Sequence, residues 1–210
     1  MPIVLSSNMP EYFRCVLGVL DESIHYGVPN ANGEIELVEA DDGTNPNTLT
    51  SVFVTGLPAD TIVLDADKMP YSLVESDKRR GLWPQIAKYR HVSDYIILTR
   101  VDDVIYQLYV ELKTGYSIKK YVPQMRCARA QMEHLQYLIR HFDSGVFPDA
   151  IEHRYVKFSK IPVAKYTTRG VPTESPPESN LQGPNDEPPR TYICYVEQGE
   201  KVAFTTLLRS

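Results

Sequence analysis

The sequence predicts an α/β domain, a mixed β-sheet flanked by helices and finished by a C-terminal β-hairpin, and three observations carry that expectation. Two segments, near residues 10–26 and 123–142, repeat apolar residues at helical spacing. Between and after them lie short runs that alternate or are apolar throughout, bounded by Gly, Pro, Asn and Asp. A stretch at 171–190 with six prolines separates a last pair of strand-like runs from the rest.

Taken in order, the first helix opens at Pro10 and carries Phe13, Val16, Leu17, Leu20 and Ile24 on one stripe before Gly27 stops it. Turn formers then frame strands at Glu34–Val38, Ser51–Thr55 and Thr61–Leu64. The stretch Glu75–Arg90 is basic and broken by Gly81 and Pro84, and it fits a helical turn or an active-site loop equally. From Val92 to Thr114 two strands fold about Asp102–Asp103. In the second, Val104, Tyr106, Leu108, Val110 and Leu112 form a core face, and Gln107, Tyr109, Glu111 and Lys113 a polar one. A long helix is predicted over Pro123–Phe142, a strand over Arg154–Ala164, and a closing hairpin of Tyr192–Val196 with Val202–Leu207 about Gln198–Gly199. The expected organisation is one domain over 1–170, a Pro-rich loop or linker over 171–190, and a hairpin over 191–210 packed on the same domain.

Composition narrows the class. With 42% apolar and 23% charged residues the chain is an ordinary globular one. No apolar run approaches the roughly 20 residues of a membrane-spanning helix, and the first residues lack a secretory pattern. Three widely spaced cysteines, Cys15, Cys127 and Cys194, argue against a disulfide framework, so a cytoplasmic, reducing setting is expected. The five histidines have no zinc-site spacing, and no Gly-rich phosphate loop or nucleophile elbow is present. The net charge of −5 hides a division: residues 78–169 hold 17 Lys/Arg against 8 Asp/Glu. Such a basic segment suits a polyanion, and equally a solvated basic face.

The predicted hairpin carries the candidate chemistry. With Asp102–Asp103 as the turn, residues whose numbers add to 205 face each other, which sets Asp94 opposite Glu111. Opposed side chains have Cβ atoms about 5 Å apart. Two carboxylates so placed repel one another, and a hard divalent cation is their natural partner. Lys113, two residues from Glu111 on the same face, can hold a water or stabilise developing negative charge. On the long helix the stripe Gln124, Ala128, Gln131, Leu135, Leu138 and Phe142 turns Gln131 inward, toward a polar site or a backbone partner. The plain alternative is a surface Asp–Lys–Glu cluster on a half-exposed sheet.

The runs Ser93–Asp94–Tyr95–Ile96–Ile97–Leu98, Tyr109–Val110–Glu111–Leu112–Lys113–Thr114–Gly115 and Ala128–Arg129–Ala130–Gln131–Met132 together resemble the core of the PD-(D/E)xK nuclease superfamily. The resemblance spans Val92–Phe142, with Ser93 where that pattern often has proline, and with more chain before Asp94 than a minimal core needs. It implies a restriction-endonuclease-like αβββαβ core and Mg- or Mn-dependent hydrolysis of phosphodiester bonds. Asp94, Glu111 and the Leu112 carbonyl would hold the metal, Lys113 would act at the water or the transition state, and Gln131 would assist. A first-helix glutamate is common in such proteins, and Glu11 and Glu22 are equal candidates. The expected partner is nucleic acid, DNA ahead of RNA, with a homo-oligomer or a larger assembly left open. The rival reading is an inactive nuclease-fold binding module or a structural subunit.

Overall fold

The computed structural model describes residues 9–39, 49, 51–69, 92–112, 118–142, 147–160 and 185–208. Helix α1 (Glu11–Val19) is followed by strands β1 (His25–Gly27), β2 (Ile35–Val38), β3 (Ser51–Thr55), β4 (Ile62–Asp65), β5 (Tyr95–Val101) and β6 (Val104–Leu112). Helix α2 (Ile118–Phe142), strands β7 (Ile151–Lys160), β8 (Tyr192–Val196) and β9 (Lys201–Ala203), and one helical turn, Phe204–Leu207, complete the chain. The α/β expectation holds, with a mixed main sheet of order β1-β4-β5-β6-β7-β8. Strands β4, β5 and β6 form an antiparallel meander, α2 makes the crossover, and β7 and β8 run parallel to β6.

Among the described residues, helices flank one face of the main sheet, where α1 and α2 bury Phe13, Val16, Met125, Met132 and Leu135 against Ile96, Leu98, Tyr109 and Tyr155. The other face packs on a second sheet of order β2-β3-β9, through Leu37, Val52 and Val54 against Ile97, Leu108, Val110 and Phe158. Strand β6 is therefore buried on both sides, and the expected polar face is interior: Gln107, Tyr109 and Glu111 all have no exposed surface. Alternation in β6 distinguishes two cores rather than core from solvent.

Three boundaries differ from the expectation. The first helix stops at Val19, because Leu20 turns extended and the Asp21 carboxylate accepts the Ser23 N–H to open a 3-10 turn. His25–Gly27 can then pair with β4 at the sheet edge, while Ile24 still reaches the core. Helix α2 begins at Ile118, five residues before the proline expected to open it; Pro123 lies inside with its ring on the exposed side. Strand β7 starts at Ile151 rather than Arg154 and is described as far as Lys160.

The expected C-terminal hairpin does not form. Strand β8 pairs with β7 in the main sheet, whereas β9 pairs with β3 in the second, and Phe204–Leu207 is helical. The intervening turn, closed by the Glu200 N–H donating to Glu197 O, is also held by its neighbour in the second sheet. Gly199 N donates to Ser51 O, Phe53 N donates to Glu200 O, and the Gln198 amide bonds the Ser51 backbone N–H and hydroxyl. Of the Pro-rich stretch, residues 185–190 are described. There Asn185 Nδ2 donates to the carbonyls of Tyr155 and Leu207, each at 3.0 Å, so this segment is fastened to the domain.

Candidate metal centre and the buried polar row

The β5–β6 hairpin forms in the expected register: Tyr95 pairs with Val110, Ile97 with Leu108 and Val101 with Val104. Asp102 takes φ 53°, a left-handed conformation that aspartate tolerates better than most residues. One step beyond Tyr95–Val110, that register sets Asp94 beside Glu111. Hydrogen bonds at its carbonyl and its carboxylate hold Asp94 in place. Its carbonyl accepts the Ala66 N–H at 2.9 Å, and its Oδ2 accepts the Leu112 N–H at 2.5 Å. A charged acceptor on a backbone donor is a strong pairing, and it clamps the start of β5 to the end of β6. Asp94 is half-buried, while Glu111 and Leu112 are fully buried.

Helix α2 covers this end of the sheet with its first turns. Gln124 Nε2 donates to Val92 O at 3.2 Å, just before Asp94. Tyr121 places its ring 5.1 Å from the Nζ of Lys157. Lys157 is the residue that sequence reasoning missed: it has no exposed surface, and the parallel β6–β7 register sets it directly beside Glu111. A lysine inside the otherwise uncharged run Tyr155–Ser159 was the available signal, since lysine is almost never fully buried without compensation.

The structure does not bring Gln131 to the carboxylate pair. The buried stripe of α2 is Tyr121, Met125, Ala128, Met132, Leu135 and Ile139, rotated by roughly 60° from the expected one at 100° per residue. Gln131 falls on its flank, half-buried, and Phe142 is exposed. Contacts farther along α2 show where Gln131 lies: Arg129 meets Tyr155 OH, two residues back from Lys157, so the helix runs away from the pair as it proceeds. Gln124 occupies the position expected of Gln131. Lys113 and the basic stretch Lys78–Arg90 lie outside the described residues, as do the side chains of Lys119 and Lys120. Glu11 and Glu22 are both exposed, Glu11 beside Arg14.

Behind the pair, on the same face, lies an uncharged network. Tyr109 OH donates to Gln107 Oε1 at 3.1 Å and Gln107 Nε2 donates to Tyr12 OH at 2.9 Å. Tyr109 gives its one proton to Gln107, so its oxygen is left to accept from His153 Nδ1, 3.2 Å away, which assigns that nitrogen the proton in neutral histidine. Burial, with the Arg129 charge second, pushes His153 down to about 4. Burial holds Tyr109 well above the usual phenol range and pushes Tyr12 up to about 12. These groups are neutral near pH 7 and serve as structure. Cys127 is buried in the core, its thiol pushed up by burial, and all three cysteines are thiols rather than disulfides.

Asp94 and Glu111 are a donor set that fits magnesium or manganese, which bind one or two carboxylates and fill the remaining positions with waters and substrate phosphate. Among the described residues no third His, Cys, Asp or Glu joins them. No helix among the described residues is long and apolar enough to cross a membrane. Comparison with protein-family models, curated proteins and solved structures gives no match.

Proposed function

We propose that the chain is a metal-dependent nuclease of the PD-(D/E)xK type, hydrolysing phosphodiester bonds of nucleic acid, DNA ahead of RNA. What supports this reading is the bond from Leu112 N–H to Asp94 Oδ2, together with the β5–β6 register which, continued one step beyond Tyr95–Val110, brings Asp94, just before β5, next to Glu111. The chain order supports it: one helix, the β4–β5–β6 meander, the α2 crossover and parallel β7 follow the αβββαβ order of a restriction-endonuclease-like core. The basic balance of residues 78–169 suits a polyanionic substrate, and three cysteines held as thiols suit a cytoplasmic setting.

Asp94 and Glu111 would hold Mg²⁺ or Mn²⁺, with the Leu112 carbonyl as a further oxygen donor. Bound there, the cation would polarise the scissile phosphate and acidify a water. Within the chain, the Leu112 N–H holds one Asp94 oxygen and thereby aims the other, and Ala66 fixes the backbone behind it. Lys113 would place the attacking water or neutralise the charge that grows on phosphorus-bound oxygen. Gln124 fixes the covering helix against Val92 O. Incubating the purified protein with mixed DNA and RNA in Mg²⁺, Mn²⁺ or EDTA tests this. Cleavage that EDTA and Glu111→Gln both abolish is expected; full cleavage by Glu111→Gln would overturn it. The complete burial of Glu111 favours the second reading, an inactive nuclease-fold module. Salt-sensitive nucleic-acid binding without turnover would establish that reading.

A further inference from the structure

Asp94, Glu111 and Lys157 form a row that starts just before β5 and crosses β6 and β7. The β5–β6 register, continued one step, and the Leu112 N–H bond bring the first beside the second, and the β6–β7 register sets the second beside the third. All three share the face covered by α2, because Ile96, Tyr109 and Tyr155, two residues away on the respective strands, pack in that core. Neighbouring strands are about 4.8 Å apart. Glu111 and Lys157 both have no exposed surface.

A lysine on a sheet ordinarily extends its stem so that the ammonium reaches water. Lys157 instead keeps its ammonium inside, against the face of Tyr121, where the ring quadrupole favours a cation. On its other side the parallel register supplies Ile193, and the same-face neighbours along β7 are Tyr155 and Ser159, none of them charged near pH 7. Glu111 is thus the acidic residue that the register sets directly beside it, with Asp94 one strand farther. Opposite charges that close in a water-poor interior interact strongly.

We propose that Lys157 is a positioning residue of this site, the internal counter-charge of the Asp94–Glu111 pair. It rests on the metal-site reading for one consequence: ammonium and divalent cation repel each other, so Lys157 limits how tightly metal is held. Ionised, the pair carries −2 and Lys157 contributes +1, so a divalent ion would bring these three side chains to +1, opposite in sign to a phosphodiester. Lys157 therefore keeps the carboxylates compensated before metal arrives and leaves the loaded site attractive to the substrate anion.

The test pairs two readouts. Mn²⁺ binding is titrated calorimetrically into wild type, Lys157→Met and Lys157→Arg. Thermal midpoints without metal are measured for wild type, Lys157→Met, Glu111→Gln and the double variant. We expect Lys157→Met to bind Mn²⁺ roughly tenfold tighter and Lys157→Arg to stay within about twofold of wild type, because the guanidinium keeps the charge. Without metal, Lys157→Met lowers the midpoint and adding Glu111→Gln restores part of the loss. Additive midpoint shifts overturn the counter-charge. Should Lys157→Met fail to fold, a folded double variant supports the inference, and an unfolded double variant beside a folded Glu111→Gln overturns it. A wild type that neither binds Mn²⁺ nor cleaves, yet shows a non-additive cycle, overturns the metal reading and upholds the counter-charge.

Discussion

Asp94 combines a structural duty with a proposed chemical one, and two substitutions separate them. Its Oδ2 accepts the Leu112 N–H, and in the proposed site its carboxylate would also bind the cation. Asparagine keeps a carbonyl oxygen for that amide, whereas alanine leaves the Leu112 N–H without its acceptor, which costs about 1.5–3 kcal/mol for a bond to a charged group. Asp94→Asn is therefore expected to remove Mn²⁺ binding with a small loss of stability, and Asp94→Ala to lose both; urea titration beside calorimetry distinguishes them. Equal stability of the two variants would show that the clamp contributes nothing. His153 supplies a prediction from its environment alone. Burial holds its folded pKa at about 4, below the ordinary histidine value of 6.5, so the unfolded chain takes up the proton first as pH falls. The stability it contributes is complete above about pH 6.5 and is lost as pH falls toward 4, by about 1–2 kcal/mol after allowing for its partial exposure. His153→Gln should flatten the stability profile across that window, and an unchanged slope would contradict the assignment. At this scale the sequence revealed Asp94 and Glu111, because both sit on one tight hairpin where the turn sets register. It did not reveal Lys157, because β7 reaches β6 through a crossover, and no local turn links the numbering of parallel strands.

At the scale of elements, what is local in sequence was legible and what depends on a distant partner was not. The β5–β6 register and the strands Ser51–Thr55 and Tyr192–Val196 emerge as expected. The face of α2 was misjudged because its termini were. Counting from Pro123 gave weight to Leu138 and Phe142, while the helix begins at Ile118 and buries Tyr121. The turn between β1 and β2 shows local chemistry well enough to predict from. Asn30 Oδ1 accepts the N–H groups of Asn32 and Glu34, and Gly33, at φ 71°, donates to Asn30 O while its own carbonyl accepts Leu57 N–H. A Cβ at Gly33 would stand 2.7 Å from Leu57 O, a backbone atom that cannot rotate aside. Gly33→Ala therefore combines left-handed strain with a clash and is expected to cost roughly 1–3 kcal/mol. Gly56→Ala, also at positive φ but with open space around its Cβ, should cost less. A thermal midpoint for Gly33→Ala no lower than that for Gly56→Ala would remove the steric part of this account.

For the molecule as a whole, the decisive departure from expectation is the way the C-terminus joins two layers. A terminal hairpin that pairs only with itself would be an appendage, and its loss would leave the two-faced sheet intact. Instead β8 extends the main sheet, the turn at Gln198–Gly199 is fastened to Ser51, and β9 lies against β3 in the second sheet. Period-two alternation in Tyr192–Val196 was readable, but alternation specifies a face and not a partner. The last residues then enter the core between the sheets, with Val202, Phe204 and Leu207 at 7%, 2% and 0% exposure. Leu207 O also accepts the buried Asn185 amide, which in turn holds Tyr155 O. Burying each such apolar side chain is worth about 1.5–3 kcal/mol, so the three together approach the roughly 5–15 kcal/mol that stabilises a typical domain. Ending the chain at Glu200 should therefore abolish cooperative unfolding rather than trim a tail. Phe204→Ala, which leaves the backbone pairing in place, should cost about 3–5 kcal/mol. Near-UV circular dichroism and urea titration measure both. A truncated protein with the wild-type midpoint would mean that the second sheet does not need β9, and that the carboxylate row stands on the main sheet and its helices alone.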